Sequence, residues 1–99
     1  MDPSLIIEGI VKHITEGQDG VFLINFVVEK VDFTDEYRKN QEEVYYQGER
    51  TISFKHNNIV NINPGDKIRV YSDESSNIIL RIESIRSDGT IIKNYESSN

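Results

Sequence analysis

The feature that most constrains this chain is the run of residues 21 to 33, V-F-L-I-N-F-V-V-E-K-V-D-F, which is rich in β-branched and aromatic side chains and holds no glycine or proline. Side chains of that kind suit a pleated, half-buried surface, so the run predicts one long strand. Period-two alternation puts Phe22, Ile24, Phe26 and Val28 on one face and Leu23, Asn25, Val27, Glu29 and Val31 on the other. The first set is the expected core face. The second leaves an apolar stripe of Leu23, Val27 and Val31 facing outward.

The rest of the chain repeats the pattern at shorter length. Leu5 to Ile14 reads as a first strand in which Ile7, Gly9 and Val11 share a face. Ile14 returns to that face only if the alternation slips by one residue, so a bulge is expected, and Gly9 inside a strand marks a bend or a close backbone approach. Thr15 to Gly20 is turn-rich and ends in Asp-Gly. Thr34 to Gly48 reads equally as a short helix or as an extended hairpin arm turning near Lys39 to Gln41. Glu49 to His56 predicts a third strand, with Ile52 and Phe54 on one face beside Arg50, and Thr51, Ser53 and Lys55 on the other. Asn63-Pro64-Gly65-Asp66 is a turn. Lys67 to Tyr71 follows as a strand with Ile68 and Val70 inward and Lys67, Arg69 and Tyr71 outward. After the polar loop Ser72 to Asn77 comes Ile78 to Arg86, the last long strand. Ser87-Asp88-Gly89-Thr90 is a strong turn signal, Ile91 to Tyr95 is a possible short returning strand, and residues 96 to 99 should fray.

A chain of 99 residues has room for one core and not two, so residues 1 to 99 are expected to form a single all-β domain, its core within about 5 to 87. The order of elements resembles the OB (oligonucleotide/oligosaccharide-binding) fold. The matching residues are Ile7-Glu8-Gly9-Ile10-Val11, similar to that family's first strand, and Pro64-Gly65-Asp66-Lys67-Ile68-Arg69-Val70-Tyr71, similar to its approach to the fourth strand. The resemblance implies a five-stranded Greek-key barrel, to which residues 91 to 95 could add a short extra C-terminal strand, and a ligand lying across strands two and three. The helix usual between strands three and four is here shrunk to about residues 57 to 62.

Charge bears on what such a domain could hold. The net charge of −6 opposes a bulk electrostatic grip on nucleic acid. It is, however, unevenly placed: residues 32 to 49 carry Asp32, Asp35, Glu36, Glu42, Glu43 and Glu49 against Arg38 and Lys39, whereas residues 50 to 71 carry Arg50, Lys55, Lys67 and Arg69 against Asp66. The candidate nucleic-acid-binding residues are therefore Arg50, Ser53, Lys55, Lys67, Arg69 and Tyr71, where Lys and Arg neutralise phosphates and Tyr offers a stacking plane. The loops flanking the implied groove carry Glu16, Asp19, Asp73 and Glu74, which would repel a phosphate backbone. A second candidate set is Tyr37, Tyr45 and Tyr46, amphipathic side chains suited to a protein partner.

Other chemistry has little support in the residues. Zero cysteines exclude a disulfide framework and a thiolate zinc site. His13 and His56 are the only histidines and show no ligand spacing, and the acid pairs Asp35-Glu36, Glu42-Glu43 and Asp73-Glu74 would point to opposite faces of a strand. No catalytic, metal or cofactor site is expected. No apolar run is long enough for a membrane helix, and the start lacks a leader pattern, so an intracellular setting is expected. Two readings follow: a single-stranded DNA- or RNA-binding module using the basic strands, or a protein-interaction module or homodimer using the tyrosines and the outer apolar stripe.

Overall fold

In a computed structural model, which describes residues 3–34, 48–59, 61–73 and 78–98, the alternating runs form six strands. These are β1 (Leu5–Glu16), β2 (Val21–Phe33), β3 (Glu49–Lys55), β4 (Lys67–Asp73), β5 (Ile78–Ile85) and β6 (Ile91–Glu96), with a 3-10 turn, Gln18–Gly20, between the first two. They make one antiparallel sheet in the order β3-β2-β1-β4-β5-β6. The central strand, β1, pairs with β2 on one edge and with β4 on the other.

Two bulges set the faces of the β1–β2 pair. Glu8 lies opposite Lys30 but Gly9 lies opposite Val28, which leaves Glu29 as an extra residue in β2. Val11 opposes Phe26 and His13 opposes Asn25, which makes Lys12 the extra residue in β1. An extra residue reverses the alternation beyond it. Ile14 thereby returns to the core side, and the freed Lys12 reaches an ion pair with Glu49. The Lys12 ammonium holds the Glu49 carboxyl below the usual carboxylate range.

The same effect corrects the expected outer stripe. Past Glu29 the inward side passes to Val31 and Phe33, which are buried at 5% and 1% exposure, so Val31 belongs to the core with Phe22, Ile24, Phe26 and Val28. Of the stripe, Leu23 stays exposed and Val27 is half-buried.

One cluster unites Leu5, Ile7 and Val11 of β1 with the β2 set, Phe54 of β3, Ile68 and Val70 of β4, Ile82 of β5 and Tyr95 of β6. Side chains from both ends of the strand order meet in it, so the sheet bends over its own inner face. Ile59 and Ile62, from the segment between β3 and β4, lie in the same cluster.

The closed five-stranded OB-type barrel is not what forms. Closure would require β5 to pair with β3, yet β6 occupies the second edge of β5 along Arg81 to Ile85. The ends of the sheet meet at one place without a ladder: the Ser98 N–H donates to the Lys55 carbonyl at 2.8 Å, and the His56 ring meets Tyr95 edge-on at 5.3 Å. The sheet is open, and the strand expected to be an accessory is a full member of it. The Pro64-Gly65-Asp66 motif does general turn work. Asn63 N–H is capped by Asp66 Oδ2 at 2.8 Å, Gly65 adopts φ +95°, and the turn exchanges backbone hydrogen bonds with Val11.

Gly9 is required where β1 meets β2. A Cβ there would lie 2.3 Å from the Val27 carbonyl oxygen and 2.7 Å from the Phe26 ring, and the backbone atom cannot swing aside. We expect Gly9→Ala to cost about 3 kcal/mol through overpacking, seen as a lower urea midpoint at an unchanged slope. An unchanged midpoint would mean that the two strands approach less closely than described.

Candidate functional site

The outer face of β1, β4 and β5 carries a connected polar cluster. The register places Glu8 opposite Arg69 and Arg69 opposite Glu83, with Ile6 opposite Tyr71 and Tyr71 opposite Arg81 one step along. Alternation alone points all these side chains outward, and cross-strand pairing then brings them into contact. Arg69 Nε donates to Glu8 at 3.3 Å and its Nη1 to Glu83 at 3.3 Å, while the Tyr71 hydroxyl donates to the same Glu83 oxygen at 2.6 Å. The Arg81 guanidinium lies 4.0 Å from the Tyr71 ring centre, a cation–π stack. Glu83 is buried, so these donors replace the hydrogen bonds it would make to water. The Tyr71 side chain and, beyond the opposing effect of burial, Glu8 hold the Arg69 pKa above its ordinary value.

Beside the cluster is a depression of about 270 Å³ lined by Ile6, Glu8, Lys30, Asp32, Arg69 and Tyr71. Lys30 and Asp32 are exposed at its edge on β2, opposite Glu8 and Ile6.

The predicted basic face does not assemble. β3 and β4 follow one another in the chain but stand three places apart in the sheet, about 14 Å at the usual strand spacing. Ser53 and Lys55 lie at one edge, exposed, and Arg50 shares the side of Ile52 and Phe54. Lys67 faces Glu29 at 3.7 Å, and Arg69 is shared between two carboxylates. Tyr71 is buried and under Arg81, so it offers no free stacking plane. This overturns the reading as an OB-type module for single-stranded nucleic acid: the barrel is absent, the β4 cations are neutralised locally, and those of β3 lie on a separate strand. Tyr37, Tyr45 and Tyr46 lie outside the described residues.

Sequence reasoning missed Glu8, Glu83 and Arg81. Their outward alternation was available, but which strands are neighbours was not. The histidines do not converge: His13 is exposed, whereas His56 stacks on Phe54 and accepts the Asn58 N–H on Nδ1 at 2.9 Å. Among the described residues no three His, Cys, Asp or Glu side chains are placed to hold a metal ion, and no helix is long and apolar enough to cross a membrane.

The second feature is the outer edge of β6. Ser84 opposes Lys93 and Ile85 opposes Ile91, so Ile92 is an extra residue and two isoleucines face one. Both are more than half exposed, Ile91 at 52% and Ile92 at 56%. The turn before them is well built. Arg86 N–H donates to the Thr90 carbonyl, Gly89 N–H to the Arg86 carbonyl, and Thr90 N–H to Asp88 Oδ1 at 2.9 Å.

Comparison with protein-family models, with curated proteins and with solved structures found no match to this chain.

Two outcomes test the cluster and the turn. Glu83→Ala leaves the buried Tyr71 hydroxyl without its acceptor and takes one of two carboxylates from the half-buried Arg69, and should cost about 3 kcal/mol. Tyr71→Phe removes one charge-assisted bond and should cost about 1.5 kcal/mol. Urea denaturation in which the first variant is no worse than the second would refute the shared-acceptor arrangement. At the turn, the Thr90 hydroxyl and N–H hold the Asp88 carboxyl below its ordinary range. Its contribution is therefore complete above the unfolded carboxyl value, about pH 4, and is lost as the pH falls through the lower folded value. Amide resonances of Gly89 and Thr90 should stay constant down to about pH 4 and move below it. Movement centred above that value would show that the carboxylate is not held.

Proposed function

We propose that this domain is a non-catalytic protein-interaction module that takes an extended segment of a partner along the open edge of β6. The observation that carries the reading is the pair Ile91 and Ile92, more than half exposed on an edge strand. Unpaired strand edges are ready templates for another strand, and proteins usually blunt them with charge, proline or cover. At the other edge of this sheet, β3 carries Arg50 and Lys55 and its end is tied to Ser98. β6 has one cation, Lys93, and begins with two large apolar side chains. Main-chain pairing would supply affinity in such a complex, and contacts with the isoleucines would supply selectivity.

Net charge favours a particular partner. Each copy of the chain carries −6, so pairing two copies brings like charges together, whereas a neutral or basic segment is attracted. An intracellular setting is part of the proposal, in keeping with a chain that uses no cysteine. Binding is favoured over catalysis because the buried ionisable groups of the outer face are consumed by one another: Glu83 accepts from both Tyr71 and Arg69, and neither is left to exchange a proton with a substrate.

The test is selection of short random peptides on the intact chain alone, the selected peptides then being measured on an Ile91→Lys, Ile92→Lys variant. Both positions are exposed, so the variant should retain the parent's urea midpoint. Peptides with alternating apolar residues and a basic balance should bind the parent, shift the backbone amides of β6, and lose at least about tenfold in affinity on the variant, or ~1.4 kcal/mol. Selected peptides that bind both proteins equally would refute the β6 assignment. Sedimentation showing a dimer that the variant abolishes would transfer the edge to a second copy of the chain.

A further inference from the structure

The depression on the outer face is independent of the β6 edge. Ile6 and the flank of Tyr71 line it together with four charged side chains. Two of those are already matched, since Glu8 and Arg69 are bonded at 3.3 Å and Arg69 is held further by Glu83. This pair is fixed in place by the buried network beneath it. The other two, Lys30 and Asp32, are exposed, and their side chains make no ion pair or hydrogen bond with another described residue. They sit two positions apart on β2, opposite Glu8 and Ile6, and so share one face of the sheet. The uncommitted charge at the site is thus one cation and one anion, placed side by side next to Ile6 and Tyr71.

The volume sets the size of a ligand. About 270 Å³ equals the liquid volume of about nine water molecules and falls just below the usual range for ligand sites. A depression of this size suits a small molecule. An anion alone would meet Lys30 but also Asp32 and Glu8, and a cation alone would meet Asp32 but also Lys30 and Arg69. A molecule with both charges close together matches both without leaving either opposed. We propose that this depression binds a small zwitterion with an apolar side chain, of the free α-amino acid class, its carboxylate toward Lys30, its ammonium toward Asp32 and its side chain over Ile6 and Tyr71.

The test is titration of the isotope-labelled intact chain with L-leucine, followed by two-dimensional amide NMR. The two single-charge relatives of leucine, isopentylamine and 4-methylpentanoate, are titrated in parallel. Leucine is expected to shift the amides of Ile6, Glu8, Lys30 and Asp32 saturably, and each single-charge relative to bind about two- to fivefold more weakly, the order expected of an exposed ion pair. Lys30→Ala and Asp32→Ala should each weaken leucine by a similar factor, and the double exchange Lys30→Asp, Asp32→Lys should restore part of the binding with the ligand reversed. These positions are exposed, so the variants should fold, and the parent's amide pattern elsewhere in the spectrum checks that they do. The Ile91→Lys, Ile92→Lys variant should bind leucine as the parent does, which separates this site from the β6 reading. Absence of saturable shifts up to the solubility of leucine would overturn the proposal. So would equal binding of a single-charge relative, or variants of Lys30 and Asp32 that bind leucine unchanged.

Discussion

The close approach of β1 and β2 at Gly9 is the constraint on which this sheet depends. β1 is the strand that both halves share, with β2 and β3 hung on one side and β4, β5 and β6 on the other. A strand paired along both edges has no freedom to slide, and at Gly9 the carbonyl of Val27 occupies the space where any side chain would begin. The Glu29 bulge lies in the same place. Bulges increase local twist and bend the strand that carries them, and a bent central pair lets an open sheet fold its apolar face inward. Without that bend Ile24, Phe26, Ile68 and Ile82, all fully buried, would lie on a flat face with no second layer of described secondary structure to cover it.

The strands themselves were legible because their signals are local. The run from Val21 to Phe33 is a strand with those limits, the slip before Ile14 is a real bulge, and the turns at Asn63–Asp66 and Ser87–Thr90 carry the hydrogen bonds their residues imply. What was not legible is which strands are neighbours, because no local signal encodes it. β3 and β4 look adjacent in the chain, and their cations look like one surface, but two strands stand between them. Val31 was misassigned for a related reason. Nothing in Val28-Glu29-Lys30-Val31 announces that Glu29 is extra, since that depends on how β1 is held opposite.

The same dependence governs the charges. Glu8, Arg69 and Glu83 are far apart in the chain and become an alternating row only when β1, β4 and β5 lie side by side. Counting cations along a segment therefore overestimates the positive potential a sheet presents, because alternation sends neighbouring residues to opposite faces and cross-strand partners arrive from elsewhere. The basic stretch from Arg50 to Tyr71 is divided in this way: Lys67 and Arg69 are neutralised on β4, and Lys55 lies exposed at the β3 edge.

The treatment of the two edges gives the open architecture its functional meaning. A closed barrel has no edge and so no place for strand addition. Here β6 uses the free side of β5, which prevents closure, and passes an edge on to itself. Past Glu96 the chain turns its Ser98 amide to the end of β3, and Tyr95 packs against His56 and receives the Asn61 N–H, so the end of β3 is tied by the residues that leave β6. One edge is thereby partly secured by the tail of the other. The residues that remain outward at the start of β6 are Ile91 and Ile92, in a bulge that opposes both to Ile85. A bulge usually protects an edge by twisting it away from incoming strands. Placed under two exposed isoleucines, it also restricts what can pair there, because a partner must match a displaced register as well as an apolar surface. An edge built this way resists indiscriminate sheet extension while remaining open to a segment shaped for it.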